Sequence, residues 1–301
     1  MRIIPIASES LGVRSLAVYV ETGKRGVLID PGAALGPKRY GLPPAKAELE
    51  ALDEARLRIQ SYARKADIVT ISHYHYDHHT PFFKGIYESS SEEYAREIYT
   101  GKLLLIKHPK ENINFSQRKR AWAFLKNAGP IAEGIEYADG RFFDFGDVIM
   151  EFSPAVPHGS EGSRLGFVLM VMVDDGTRRL IHASDTQFLN KASTEWIIKQ
   201  VPDLIIGDGP PTYLEGYRVR NAWKEGLGNL NRIISETGAE IILDHHLIRD
   251  KRYPKFFEEL ETEPLTFARF LKREDKPLEA YRKELHKIEK GEDAKVPFEL
   301  R

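Results

Sequence analysis

A dense group of potential metal ligands lies in the segment 71–79 of this 301-residue chain. It contains His73, His75, Asp77, His78 and His79. Imidazole nitrogens and carboxylate oxygens are donors that zinc and neighbouring transition metals bind. His73, His75 and Asp77 are two residues apart and point to one side of an extended chain, whereas His78 breaks the spacing and suits a second ion. A histidine-rich surface loop is the alternative, but the whole chain has only 10 His, so this density disfavours it.

The group directly follows an apolar run, Ile68-Val69-Thr70-Ile71, which predicts a buried strand. It therefore lies on the loop that leaves a strand end, where binding and catalytic residues are commonly placed. The pattern resembles the His-x-His-x-Asp-His signature of the metallo-β-lactamase superfamily. That resemblance predicts partner motifs elsewhere in the chain, in a fixed order.

A candidate first motif precedes the histidine group. The strand predicted at 26–29 ends in Asp30-Pro31-Gly32, where the aspartate could simply cap a turn. The segment also resembles the superfamily's first motif. In that motif the aspartate supports the metal ligands by hydrogen bonding and does not bind the ion itself.

Two more motifs follow predicted strands downstream. His158 comes after the strand predicted at 148–152 and resembles the third motif. Asp185 is flanked by hydroxyl residues and resembles the fourth motif, and its two oxygens could bridge two ions. His182 lies within the preceding strand and is predicted to be a packed histidine.

The last motif contains two adjacent histidines. A strand predicted at 240–243 leads into Asp244-His245-His246, which resembles the fifth motif. In the first cluster Ser72 separates the strand from its ligand, and by that template His245 is the ligand. His246 remains the second choice, or a substrate contact.

The resemblance implies two divalent metal ions, with zinc as the default. Manganese or iron would also suit a set of His and Asp ligands in a chain without cysteine. The first ion would be held by His73, His75 and His158. The second ion would be held by Asp77, His78 and His245 (or His246). Asp185 would bridge the two ions.

The resemblance also implies a reaction, in which a hydroxide shared by the two ions attacks an electrophilic carbonyl or phosphorus. Asp77 would orient this nucleophile, and Asp30 would act as its catalytic partner by supporting the ligands. Candidate substrate contacts in two turn-rich loops are Ser163, Arg164, Asp208 and Tyr213. Ordinary turn chemistry explains both loops equally well.

The fold implied by the resemblance is α/β, a four-layer αβ/βα sandwich with two mixed sheets face to face and helices outside. Apolar periodicity agrees, because it predicts about a dozen short strands, often in hairpins, with helices between them. We expect one domain over residues 1–301, with a helical insert at about 84–130 and a helical C-terminal extension at about 251–301. A short helix could begin within 77–83.

Composition limits the class of protein. The chain is 42% hydrophobic and 30% charged, with a formal net charge of −1 and no cysteine, so disulfides and thiolate chemistry are excluded. No apolar run approaches the ~18 residues of a membrane span, and the N-terminal segment 1–6 is too short for a secretory signal. These features predict a soluble cytoplasmic protein, and abundant Lys and Glu with few Asn and Gln are typical of thermophilic proteins.

One basic patch stands out in an otherwise balanced chain. It comprises Lys107, Lys110, Arg118, Lys119 and Arg120. Such a patch could bind the phosphates of a nucleic acid. The alternative, favoured by patterning alone, is a solvated helix face with Trp122 and Leu125 turned inward.

These features favour a metal-dependent hydrolase of a small-molecule or nucleotide-type substrate, with a phosphodiester slightly preferred over a lactone or thioester. Only about 60 residues separate Asp185 from His245, too few for the nuclease domain inserted there in the superfamily's large RNA- and DNA-cutting members. An iron-dependent oxidoreductase on the same scaffold is the main alternative. A binding protein that has kept the ligands is the third possibility, and the oligomeric state is open.

Overall fold

A computed structural model describes residues 1–300 and contains fourteen strands and eight α-helices over that range. The strands are β1 (Arg2–Ser8), β2 (Leu16–Glu21), β3 (Gly26–Ile29), β4 (Ile68–Ile71), β5 (Leu103–Ile106), β6 (Gly134–Tyr137), β7 (Phe142–Asp144), β8 (Ile149–Phe152), β9 (Val156–Pro157), β10 (Phe167–Val168), β11 (Val171–Asp174), β12 (Arg179–Ala183), β13 (Leu204–Gly207) and β14 (Glu240–Leu243). The helices are α1 (Lys46–Ala63), α2 (Glu92–Tyr99), α3 (Phe115–Ala128), α4 (Lys191–Gln200), α5 (Ala222–Thr237), α6 (Tyr253–Glu258), α7 (Phe267–Phe270) and α8 (Arg282–Glu289).

Two six-stranded sheets form the centre of the molecule. The first has the order β1-β2-β3-β4-β5-β6, antiparallel up to β3 and parallel from β3 to β6. The second has the order β14-β13-β12-β11-β8-β7, with β12, β13 and β14 parallel and the others antiparallel. Strands β9 and β10 form a separate two-stranded ribbon.

The buried apolar residues divide into layers that follow from this arrangement. Residues of both sheets, among them Val18, Ile29, Val171 and Ile206, form one core between the sheets. The outer face of the first sheet packs on α1, α2 and α3, and the outer face of the second packs on α4, α5 and α6. The predicted αβ/βα sandwich with helices outside is therefore confirmed.

The segments expected to be a helical insert and a helical extension contribute to the body of the fold. The segment 84–130 contains α2 and α3, but it also supplies β5, which pairs with β4 and β6 in the first sheet. After residue 251 the chain forms the short helices α6, α7 and α8. Phe256 of α6 and Phe267 of α7 are fully buried.

Two local predictions were wrong. The segment 77–83 does not form a helix: the N–H groups of His78 and His79 both donate to the carbonyl of His75, and this single turn ends before Pro81. Trp122 was expected to face inward, but it is 57% exposed, because α3 buries its other face through Ala121 and Phe124. No helix among residues 1–300 is long and apolar enough to cross a membrane.

Candidate metal centre

The candidate ligands leave the C-terminal ends of strands from both sheets. Asp30 follows β3 and His73 follows β4 in the first sheet, whereas Asp185 follows β12 and His245 follows β14 in the second. The parallel strands are in register, with Ala183, Gly207 and Leu243 level with one another. Register therefore places these loops at one end of each sheet, a position where α/β proteins commonly bind ligands.

The first group of ligands meets around one carboxylate oxygen. His73, His75, His158 and Asp185 each offer a donor atom, and these atoms all lie within 4.8 Å of one another. Asp185 Oδ2 lies 2.9 Å from His158 Nε2 and 3.4 Å from His73 Nε2. The distance between His73 Nε2 and His75 Nδ1 is 3.0 Å. Burial lowers the pKa of His73 to about 4, so its ring is neutral, as a metal ligand requires.

The second group meets around the other oxygen of the same carboxylate. Asp77, His78 and His245 form a cluster of donor atoms with the same mutual limit of 4.8 Å. Asp185 Oδ1 lies 3.2 Å from His78 Nε2 and 3.6 Å from His245 Nε2. His245 Nε2 also lies 3.6 Å from Asp77 Oδ2. Asp185 thus stands between the two groups, and its role as a bridging ligand stays a prediction.

Asp30 contacts the residues of the cluster through buried hydrogen bonds. Its carboxylate accepts hydrogen bonds from the backbone N–H of Ser72 (2.8 Å) and from the Ser72 hydroxyl (2.6 Å), and it lies 3.0 Å from His78 Nδ1. Burial alone would raise the pKa of Asp30, but the hydrogen bond and charge of His78 lower it to about 2. Asp30 therefore stays ionised and orients the ring of His78, whose other nitrogen faces Asp185.

Asp30, Asp185 and His245 share an unusual backbone conformation. Their φ angles are 48°, 53° and 47°, in the left-handed region that non-glycine residues rarely adopt. Such a conformation costs of order 1–3 kcal/mol and persists only where surrounding contacts hold it. All three residues sit at the point where a strand ends, so the left-handed turn redirects the chain as it enters the cluster.

His245 and His246 occupy different environments. His245 faces both Asp77 and Asp185, whereas His246 Nδ1 lies 2.6 Å from Asp208 Oδ2 and 4.0 Å from Asp185. Asp208 is fully buried and also accepts the backbone N–H of Gln187, so it lies beneath His246 and does not line an open pocket. Both histidines remain within reach of Asp185.

Two charged residues that the sequence did not single out complete the site. The Nη2 atom of Arg249 lies 3.1 Å from both ring nitrogens of His245 and 3.8 Å from Asp77 Oδ2. Its Nε donates to Glu9 (3.2 Å), and its Nη1 donates to the hydroxyl of Tyr213 (3.4 Å). Glu9 and Arg249 are separated by 240 residues, so no local pattern could have paired them. Tyr213 thus reaches the cluster through Arg249.

Other candidates lie outside the cluster. His79 is buried, and its Nδ1 lies 2.9 Å from the carbonyl of His75; His182 Nε2 is 2.8 Å from the carbonyl of Leu16. His182 is therefore packed, as predicted. The Ser163 hydroxyl accepts the N–H of Leu165 within its own loop, and Arg164 is exposed.

Buried atoms left without partners test whether this donor set fits metal ions. Within residues 1–300, His78 Nε2 and Asp185 Oδ1 are buried and lack a hydrogen-bond partner although they are only 3.2 Å apart. Buried polar groups are normally satisfied, because an unmade hydrogen bond there costs free energy. A divalent cation bound between the two groups would satisfy both atoms. The residues therefore fit divalent metal binding.

Comparison with known proteins finds close relatives over the full chain. A UPF0282 protein of Thermococcus sibiricus is 76% identical over 300 residues, covering 100% of this chain and 99% of that protein. A UPF0282 protein of Methanocaldococcus jannaschii is 50% identical over 300 residues, covering 99% and 100%. A scan of family models finds none that matches the chain.

Solved structures with little sequence identity share the fold. An isothiocyanate hydrolase from Delia radicum gut bacteria superposes with a TM-score of 0.54 at 14% identity, covering 88% of this chain and 95% of that one. A metal-dependent hydrolase of the β-lactamase superfamily superposes with a TM-score of 0.51 at 15% identity and the same coverage. The chain therefore has the metallo-β-lactamase fold, and its histidine and aspartate cluster lies at the strand ends of that fold.

Proposed function

The chain belongs to the UPF0282 family of archaeal proteins, and from this premise and its fold we propose that it is a hydrolase that uses two divalent metal ions to cleave an ester-type bond. The observation that carries the proposal is the position of Asp185, with one ligand group around each oxygen. A carboxylate placed in this way can serve two ions at once. A single structural ion would need only one of the two groups.

We assign the ligands by distance. His73, His75 and His158 would hold the first ion on the Oδ2 side of Asp185, whereas Asp77, His78 and His245 would hold the second on the Oδ1 side. Zinc is the metal we propose, and manganese or iron would suit the same donors. When bound, divalent ions at these positions would lower the pKa of a water molecule and would stabilise the negative charge that develops in the transition state.

The protein's own groups orient this chemistry. Asp77 keeps 18% of its side chain exposed, whereas Asp30 and Asp185 are almost fully buried, so Asp77 is the carboxylate that incoming water can reach. An Asp77 oxygen can accept a hydrogen bond from that water and turn its lone pair towards the substrate. Asp30 fixes the orientation of the His78 ring through its Nδ1 atom. Asp208 fixes the orientation of the His246 ring in the same way.

The bond that we favour is a phosphodiester. Arg249, which also pairs with Glu9, places a guanidinium 3.8 Å from Asp77 Oδ2. Helix α3 carries the exposed cations Arg118 and Lys119 and contacts the loop that follows His158 through Asn114 and Gln117. Positive charge near a metal centre attracts an anionic substrate and raises its local concentration. The bond of a lactone or thioester is itself uncharged, whereas a phosphodiester carries its negative charge on the group that is cleaved.

The test combines metal content with turnover. Wild-type protein loaded with zinc or manganese should bind two ions and hydrolyse bis(p-nitrophenyl) phosphate, and a chelator should remove both properties. His73→Ala should lose turnover at least about 100-fold, as is typical when a ligand that positions the reacting groups is lost. His286→Ala is the matched control, because His286 lies on α8, contacts Pro43 and Glu289 and belongs to none of the ligand groups, and it should leave turnover unchanged.

Two results would reject the hydrolase. Turnover at the wild-type level in both His73→Ala and Asp185→Asn would exclude the metal mechanism. Bound iron with oxygen uptake and without hydrolysis of any ester would instead support the oxidoreductase on the same scaffold.

A further inference from the structure

A stripe of aromatic and basic residues runs along the exposed face of α3. Phe115, Arg118, Lys119 and Trp122 are spaced i, i+3, i+4 and i+7, which places them side by side on a helix. All four are exposed, Phe115 by 71% and Trp122 by 57%, and together they line one shallow groove. We call these four residues the α3 stripe.

The stripe is not required for packing of the helix. The opposite face of α3 is buried through Gln117, Ala121, Phe124 and Ala128, which is enough to hold the helix on the first sheet. Large aromatic side chains are usually at least half covered in a folded chain, and exposed ones that cluster together mark interaction sites. The alternative interpretation, a solvated helix face, required Trp122 to turn inward. The exposure of Trp122 therefore argues against it.

The charges beside the aromatic rings are free to bind a partner. Lys119 Nζ lies 4.6 Å from the centre of the Phe115 ring, and Lys110 Nζ lies 5.9 Å from that of Trp122. In the part of the chain that the structure describes, Lys110, Arg118 and Lys119 have no carboxylate within 4.0 Å. An array of cations alternating with exposed rings is complementary to a strand that offers both phosphates and unpaired bases.

The helix that carries the stripe also contacts the metal centre's loops. Asn114 donates to the carbonyl of Arg164 (3.0 Å), and Gln117 donates to that of Leu165 (2.7 Å), within the loop that follows His158. Arg120 donates to the carbonyl of Tyr74 (3.3 Å), inside the histidine cluster. Arg164, in the same loop, is also exposed.

From this arrangement we propose that the α3 stripe binds single-stranded nucleic acid and leads the strand to the metal centre. Bases would stack on Phe115 and Trp122, while Lys110, Arg118 and Lys119 would contact phosphates. The delivery step rests on the proposed phosphodiester hydrolase and makes single-stranded nucleic acid its substrate class. Binding to the stripe stands independently of that hydrolase.

Binding is tested without catalysis. A fluorescein-labelled single-stranded oligonucleotide of about 12 nucleotides, within the range that such surfaces cover, is titrated with metal-free full-length protein and followed by fluorescence anisotropy. Trp122→Ala should weaken binding roughly fivefold or more, because stacking of each base contributes measurably to affinity. The double change Arg118→Glu with Lys119→Glu should weaken it further and flatten the salt dependence, since each phosphate contact adds a slope of about −0.7 for single strands.

Matched controls separate the stripe from general effects. Phe142→Ala removes another exposed aromatic ring, on β7, and Lys287→Glu with Lys290→Glu makes the same charge change on and just beyond α8. Both should bind the oligonucleotide like the wild type. All substituted side chains are on the surface, so thermal unfolding should be nearly unchanged, which guards against loss of binding through misfolding.

Four results would overturn the inference. The first is no binding by wild-type protein at low salt. The second is equal affinity for duplex and single strand, and the third is no change in Trp122→Ala, because in either case the rings would take no part. The fourth is an equal loss in the α8 control, which would indicate a general charge effect. Hydrolysis of the small chromogenic diester is measured separately, so failure of oligonucleotide binding and failure of the hydrolase are distinguishable.

Discussion

Two adjacent histidines at the end of β14 compete for the same role. His245 Nε2 lies 3.6 Å from both Asp77 and Asp185, so its ring lies between the two carboxylates. His246 already has its Nδ1 at 2.6 Å from Asp208, and it lies 4.0 Å from Asp185. Distance therefore favours His245 as a ligand and His246 as a residue held at the edge of the cluster.

We predict that His245→Ala will bind one ion where the wild type binds two, whereas His246→Ala will keep both. Loss of one direct ligand from a three-residue group removes most of its affinity, but loss of a neighbour whose Nδ1 is already paired with Asp208 does not. Equilibrium dialysis against zinc, followed by elemental analysis, measures the ratio directly. The opposite result, two ions in His245→Ala and one in His246→Ala, would reassign the ligand.

Among the loops that connect the strands, the one after β3 approaches the loop after β4, which carries His78 and His79, so closely that only glycine fits at position 32. A Cβ added to Gly32 would lie 2.3 Å from the backbone nitrogen of His79 and 2.6 Å from the carbonyl carbon of His78. Both neighbours are backbone atoms and cannot rotate away. This contact fixes the position of His78 relative to Asp30.

We therefore predict that Gly32→Ala will reduce both stability and metal affinity. The two loops must separate by most of an ångström or more, because the added Cβ would lie only 2.3 Å from His79 N. This separation disturbs the Asp30–His78 contact and costs about 1–3 kcal/mol through overpacking. Gly23→Ala is the matched control, because a Cβ there meets nothing within 4 Å. Denaturant unfolding and a zinc titration on both variants check this, and equal behaviour of the two would contradict it.

The strands and turns also differ in how well the sequence predicts them. Strands such as β4 and β14 were predictable because an apolar run ends where the ligand motif begins. Strand β6 was missed because its residues are half-buried or exposed and give no apolar run. Arg249 was missed because no helical turn was predicted after His245, although Arg249 follows it by four residues on such a turn. Its partner Glu9 is distant in sequence, and only the tertiary fold brings the two together.

On the scale of the whole molecule, buried ion pairs join the last fifty residues to the rest of the chain. Arg282 at the start of α8 is fully buried, and its guanidinium donates to both oxygens of Glu48 on α1, at 2.8 Å and 2.7 Å. It also donates to the carbonyls of Gly36 and Leu42. One side chain therefore ties α8 to the first turn of α1 and to the loop before it.

Breaking this pair should be among the most costly single changes in the protein. Arg282→Met leaves the Glu48 carboxylate buried without its cation, and we predict a loss of about 3–5 kcal/mol in the free energy of unfolding. Glu48→Gln likewise leaves the Arg282 guanidinium buried without its carboxylate partner. The double variant removes both charges, so its loss should be smaller than the sum of the two single losses.

The matched control is an arginine in an exposed pair. Arg96 and Glu92 lie 2.9 Å apart on α2, but their side chains are 51% and 63% exposed, and Arg96→Met should cost no more than about 0.5 kcal/mol. Guanidinium chloride unfolding followed by far-ultraviolet circular dichroism gives all four free energies. If Arg282→Met cost as little as Arg96→Met, this ion pair would not be what anchors the C-terminal segment. The large loss that we expect would instead show that the segment is anchored to α1 by charge.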